Sequence, residues 1–139
     1  METQTALRRF VGSESTRTHR STFALEEWMC RPDIVPNEHL LLVRATMDPG
    51  DSHPFHHHPT REEIIYVLEG RAEQWVGTQK RELTAGEMAF IPMGEVHATY
   101  NPHDQPLKFL AILSPAQAAD PMMVDVSQEE PWRSLRTRP

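Results

Sequence analysis

Between His39 and Leu113 the sequence is interrupted every eight to twelve residues by clusters of Gly, Pro, Asp, Ser and Thr, and no stretch between the interruptions sustains a helical period. That punctuation restricts the chain to an all-β sandwich or small barrel. The segment His39–Met47 (HLLLVRATM) shows the pattern best: Leu41, Val43, Ala45 and Met47 alternate and form one wholly apolar face, which is expected to line the core. Arg71 to Val76 and Gln79 to Leu83 flank Gly77 and Thr78 as the arms of a hairpin. Met88 to Ile91, Val96 to Asn101 and Leu107 to Leu113 are three further strands. Upstream, Ala24 to Met29 is a brief strand, Arg31 to Glu38 a proline-containing connection, and Gly12 to Thr22 a loop without apolar periodicity. Ala6, Leu7, Phe10 and Val11 suggest an edge or arm strand.

With 139 residues the chain has room for one domain, expected as an N-terminal arm with edge strands (1–38), a barrel (39–114) and a C-terminal tail (115–139). In the tail, Ser114, Pro115 and Gln117 fit a helix start, with a second weak start at Ser127 and Glu130. Met122, Met123, Val124 and Val126 give the tail an apolar surface suited to lying across the barrel, Trp132 is its candidate anchor, and the terminal RSLRTRP is expected to fray. A formal net charge of −6 without a basic stripe argues against nucleic acid or an anionic membrane surface as partner. A single cysteine, Cys30, and no apolar N-terminal leader make a reducing, cytoplasmic setting the expectation, and no run reaches transmembrane length.

The chemistry is concentrated between His53 and Gly70, where four of the eight histidines fall within six residues. On an extended strand His56 and His58 share a face with their backbones about 7 Å apart, so two imidazoles can converge on one ion while His57 faces away. Pro59 and Thr60 turn the chain into a strand that opens with Glu62 and Glu63, and a carboxylate there can extend a partial ligand shell whose remaining member lies elsewhere. The same residues also suit a solvated polar loop.

Two segments taken together decide between these readings. Gly50, His56, His58, Glu63 and Gly70, followed after fifteen residues by Gly86, Pro92, Gly94, His97 and Asn101, match in type and spacing the two motifs of the cupin family, which the centre of the chain resembles. The resemblance implies a jelly-roll β-barrel and a divalent transition metal held by His56, His58, Glu63 and His97. Three imidazoles and a carboxylate suit iron, manganese, nickel, copper, zinc or cobalt and leave two positions open on a six-coordinate ion. Strand alternation directs Glu62 outward and makes Gln74, on the less charged face of its strand, a candidate for contact behind the ligands, and His53 is a candidate for the pocket mouth. His57 is a solvated or supporting group, and His19, His39 and His103 are surface residues.

If Glu63 faces inward, so do Ile65 and Val67, which leaves Ile64, Tyr66 and Leu68 on an outer face that is also apolar. The arm, the tail or a second subunit must cover it, and a homodimer is the preferred expectation. A net positive metal centre in an apolar barrel favours small oxygen compounds that chelate through two atoms, as substrates for dioxygenation, decarboxylation or isomerisation. Relatives with the same ligand set include acireductone dioxygenase, germin-type oxalate oxidase and quercetin dioxygenase. The competing function is capture of a small molecule without turnover, as in auxin-binding relatives. No general acid or base beyond the ligands stands out, and no helix-turn-helix segment supports a sensor of the transcription-factor type.

Overall fold

The computed structural model of the chain describes residues 8–118 and 121–136. Among these residues are eleven strands and one short helix. The strands are β1 (Arg17–Arg20), β2 (Leu25–Cys30), β3 (Leu41–Met47), β4 (Ser52–His57), β5 (Glu62–Glu69), β6 (Arg71–Val76), β7 (Gln79–Thr84), β8 (Met88–Ile91), β9 (His97–Tyr100), β10 (Leu107–Ser114) and β11 (Val124–Asp125), followed by α1 (Trp132–Leu135). They form two antiparallel sheets, a six-stranded one in the order β1-β2-β3-β10-β5-β8 and a five-stranded one in the order β11-β4-β9-β6-β7. The all-β expectation holds, and no helix among the described residues is long and apolar enough to cross a membrane.

Alternation determines which side chains face inward. Leu41, Val43, Ala45 and Met47 of β3, Leu107, Phe109, Ala111 and Leu113 of β10, and Ile65 and Val67 of β5 are buried together with Leu83 and Ile91. Each large aliphatic side chain removed from water there contributes about 1.5–3 kcal/mol. The inner face of β5 begins with a charge, because Glu63 stands two residues before Ile65 and is equally buried.

The two sheets differ on their outer faces. On the five-stranded sheet, Phe55, Trp75, Ala98 and Tyr100 form a second apolar cluster with Val126, against which Val124 and Trp132 of the tail pack. Arg136 completes this cover, stacking over the Tyr100 ring at 3.8 Å and pairing through Nε with Glu73 at 2.5 Å. The tail therefore lies across the barrel and Trp132 helps to anchor it, as expected. On the six-stranded sheet, Tyr66, Leu68, Met88 and Phe90 remain exposed, the last two by 45% and 50%. No described part of the arm or tail covers that face.

Several sequence expectations need correction. The stretch read as a loop from Gly12 to Thr22 contains β1, whose register against β2 (Arg17 opposite Trp28, Arg20 opposite Leu25) makes it an edge strand with every side chain exposed. Cross-strand backbone pairing supplies the order that apolar periodicity would otherwise have signalled. No strand passes through Phe10, which is 89% exposed, and the Ala6 and Leu7 half of the arm-strand expectation lies outside the described residues. Ser114 and Pro115 do not start a helix: Ser114 ends β10, and the buried Arg61 guanidinium donates to the carbonyls of Pro115 and Ala116, which engages acceptors that a first helical turn would use. The only helix near the second start is α1, at Trp132–Leu135. Residues 133–136 are ordered rather than frayed, and residues 137–139 lie outside the described part.

Gly70 is the one turn glycine whose missing side chain is required twice over. Its φ of +81° is unfavourable for any other residue, and a Cβ would collide with the backbone carbonyl of Pro106. Gly86 has a similar φ of +88° but open space around it. Gly70→Ala is therefore expected to cost about 3 kcal/mol and Gly86→Ala about 1 kcal/mol in urea unfolding, the difference being the collision. Equal losses would show that the Pro106 contact is unimportant.

Candidate metal centre

Three strands bring the four motif residues together. His56 is on β4 and His58 just beyond its end, Glu63 is the second residue of β5, and His97 opens β9. Antiparallel pairing sets His56 directly opposite His97. The ring centroids of His56 and His97 are 4.2 Å apart, those of His56 and His58 5.1 Å, and those of His58 and His97 5.2 Å. One ring nitrogen from each lies within 4.8 Å of the others, a spacing suited to a single ion. Glu63 reaches the same point from the opposite sheet: its Oε1 lies 2.9 Å from His97 Nε2 and 3.2 Å from His58 Nε2. All four side chains are buried.

Hydrogen bonding fixes which nitrogens face the centre. Nδ1 of His56 lies 2.6 Å from the Pro54 carbonyl, Nδ1 of His58 2.8 Å from that of Met122, and Nδ1 of His97 3.0 Å from that of Glu95. A carbonyl only accepts, so each Nδ1 carries a hydrogen and each neutral ring presents its Nε2 lone pair inward. Three lone pairs and a carboxylate thus face one another at close range. His97 Nε2 and Glu63 Oε1 are both buried without a satisfactory hydrogen-bond partner despite their 2.9 Å separation. Such an arrangement is repulsive unless a cation, either a metal ion or protons on the imidazoles, lies within it, and the donor set fits a divalent transition metal.

The titration behaviour agrees. Burial opposes a charge on Glu63, but the imidazoles of His58 and His97 outweigh it and hold its carboxyl down at about 2. Burial likewise opposes protonation of His58, and the Glu63 carboxylate overcomes it, raising that imidazole above its ordinary value. His56 has no such partner at its ring, and burial reinforced by the nearby His53 and His97 rings pushes it well below the ordinary value.

The other candidates separate clearly. His53 lies flat on His56 at a centroid distance of 3.6 Å, with Phe23 stacked on its other side at 3.9 Å, and burial lowers its pKa to about 3. Simple alternation would place residues 53 and 56 on opposite faces, but the β4–β9 register shifts between them, and this bulge aims both inward. Gln74 is buried yet lies behind Thr99, accepting the Thr99 hydroxyl at 2.6 Å, and it is Thr99 that faces the site. Glu62, His19 and His39 are exposed and His57 is half-buried, as expected. His103 is also half-buried, its Nε2 2.9 Å from Glu82.

Beside the histidines opens a cavity of about 260 Å³, walled mainly by apolar side chains of the six-stranded sheet, including Val43, Met47, Ile65, Phe109 and Leu113, while the five-stranded sheet contributes histidines and Thr99. Sequence reasoning missed Phe23, Glu26, Trp28, Met122 and Met123, which complete its wall. For Glu26 and Trp28 the signal was present, since the two alternate on one face of β2, in phase with Ala24 just before it. For the methionines it was not: the tail reaches the cavity only because β11 pairs with β4 at His56 and His57.

Known proteins place this arrangement in context. Residues 43–113 match the model of the cupin domain. The chain is 31% identical over 81 residues to an oxalate-binding protein of Thermotoga maritima, spanning 58% of this chain and 67% of that protein. It is 34% identical over 87 residues to the polyketide synthase CurC of Streptomyces cyaneus, spanning 63% of this chain and only 56% of the relative. A solved structure of a predicted oxalate decarboxylase from Thermotoga maritima shares the fold with a TM-score of 0.69 at 24% identity, covering 77% of this chain and 99% of that one. With both motifs on one barrel and the family match spanning half of its length, the chain belongs to the cupin family.

Proposed function

We propose that His56, His58, Glu63 and His97 hold one divalent transition metal, and that the adjoining cavity binds a small oxygenated organic molecule which chelates it and is turned over in a dioxygenase-, decarboxylase- or isomerase-type reaction. The observation that carries this reading is the convergence of three Nε2 lone pairs and the Glu63 carboxylate at the end of an apolar cavity. The bound ion would supply a Lewis acid and, where redox-active, an electron relay to dioxygen. The protein's own residues do the rest. The backbone carbonyls of Pro54, Met122 and Glu95 orient the imidazoles, and Glu63 offsets part of the ionic charge. The apolar wall excludes water, so that a chelating oxygen competes well for the open positions.

A second reading, capture without turnover, has a specific support: beyond the ligands, the described cavity wall offers only Glu26 and His53 for proton transfer, and Glu26 is held by the Trp28 indole while His53 is stacked between Phe23 and His56. The oxalate-binding relative points the same way. Reconstitution with each ion separates the two readings. Oxygen consumption or product formation with dicarbonyls, hydroxy acids, catechols or flavonols would establish turnover, whereas saturable binding without product for every ion would establish capture.

The exposed outer face of Tyr66, Leu68, Met88 and Phe90 supports a homodimer built on the six-stranded sheet. The thiol of Cys30, which donates to the Leu40 carbonyl at 3.5 Å, suits a reducing cytoplasmic setting.

Purified protein is expected to carry near-stoichiometric metal by elemental analysis and His58→Ala to lose most of it; equal content in both would contradict the ligand set. Metal affinity should fall on acidification in a set order. His58, whose pKa is raised, protonates first, so weakening should begin above about pH 6.5, while His56, whose pKa is lowered, resists until much lower pH. Affinity unchanged down to pH 4 would contradict imidazole ligation. Light scattering should give a dimer mass for the wild type and a monomer or aggregate for Tyr66→Asp. A monomeric wild type at micromolar concentration would rule the dimer out.

A further inference from the structure

The cavity holds a second carboxylate that the metal site does not use. Glu26 faces inward from β2, opposite Ala45 in the register with β3, and its Oε1 accepts the indole N–H of Trp28 at 3.1 Å. Both residues line the same cavity as the histidines. In the sheet order β5-β10-β3-β2, Glu26 stands three strands from Glu63, so the two carboxylates mark opposite ends of the space. A carboxylate accepts at about four lone-pair positions, and one indole donor leaves Glu26 with capacity for a donor from a bound molecule.

The charge balance of the cavity is unusual for a chelate site. Its described lining contains two carboxylates and neither Lys nor Arg. Nearby cations are engaged elsewhere. Arg31 stacks over the Trp28 ring at 5.3 Å and is gripped by Asp33 at 2.6 and 2.9 Å, while Arg61 donates to the carbonyls of Pro115 and Ala116. A divalent ion beside Glu63 and Glu26 leaves no net positive charge to spare, and each further negative charge in an apolar wall is costly.

Building on the metal-chelating reading above, we propose that Glu26 is the specificity determinant of the cavity. The preferred ligand is a compact, mostly apolar molecule with a monoanionic, two-oxygen chelating head and a hydrogen-bond donor at its far end that Glu26 receives. Small dianions such as oxalate are disfavoured.

Calorimetry on zinc-loaded protein tests this without turnover, using 1-phenylbutane-1,3-dione, its 4-hydroxyphenyl counterpart and oxalate. The hydroxylated diketone is expected to bind about tenfold more tightly than the plain one, the strength of a hydrogen bond to a carboxylate, and oxalate more weakly than either. Glu26→Ala should abolish the preference for the hydroxyl and Glu26→Gln should retain part of it. Trp28→Phe, which keeps the carboxylate but removes the donor that positions it, should reduce it and provides a second route if the Glu26 variants fold poorly. Equal affinity of wild type for the two diketones, an unchanged preference in Glu26→Ala, or oxalate binding as tightly as the diketones would overturn the inference while zinc-dependent binding kept the metal reading intact. Diketone binding that is as tight without zinc, or absent with it, would overturn the metal reading and this inference together.

Discussion

Three backbone carbonyls decide what this barrel can do. By accepting from Nδ1, the carbonyls of Pro54, Glu95 and Met122 turn His56, His97 and His58 so that each aims Nε2 at one point. Two of these contacts are local, each reaching back two residues along the chain. The third spans 64 residues and comes from the tail, so the geometry of His58 depends on the C-terminal segment staying docked. Docking in turn depends on the β11–β4 pairing, on Val126 and Trp132 against the outer face of the five-stranded sheet, and on Arg136 between Tyr100 and Glu73. A site at the centre of the barrel is thereby tied to the stability of its periphery.

The asymmetry of the two sheets follows from the same arrangement. The tail covers the outer face of one sheet and cannot also cover the other. The five-stranded sheet gains a second apolar cluster built on Phe55 and Trp75, and the six-stranded sheet is left with Tyr66 and Phe90 in the open. The inner face of that exposed sheet supplies Glu63 and Glu26, so covering its outer face with a second copy would stiffen the strands that carry both carboxylates.

Much of this was legible before any coordinates. Strand identity was readable wherever alternation was strong, as in Leu41 to Met47, and the four converging residues were readable because their spacing matches a known family's motifs. What escaped had physical causes. β1 carries no apolar alternation because, as an exposed edge strand, it buries nothing. His53 is a sequence candidate for the pocket mouth, but its stacking on His56 was not legible, because it depends on a bulge in β4 that turns both residues inward. The tail's helix start at Ser114 met all local capping rules and lost to Arg61, a distant buried cation in need of acceptors. Glu26 was passed over because one acid in a short strand resembles any surface charge until Trp28 and the cavity wall are placed around it.

The central claim, that three Nε2 atoms and Glu63 hold one ion, is tested most directly by X-ray absorption on zinc-loaded protein. The account predicts a first shell of nitrogen and oxygen at about 2.0–2.2 Å, with the multiple scattering of three imidazoles and no sulfur. It also predicts that Glu63→Gln changes the shell without reducing the imidazole count. A first shell containing sulfur, or one with a single imidazole or none, would contradict it.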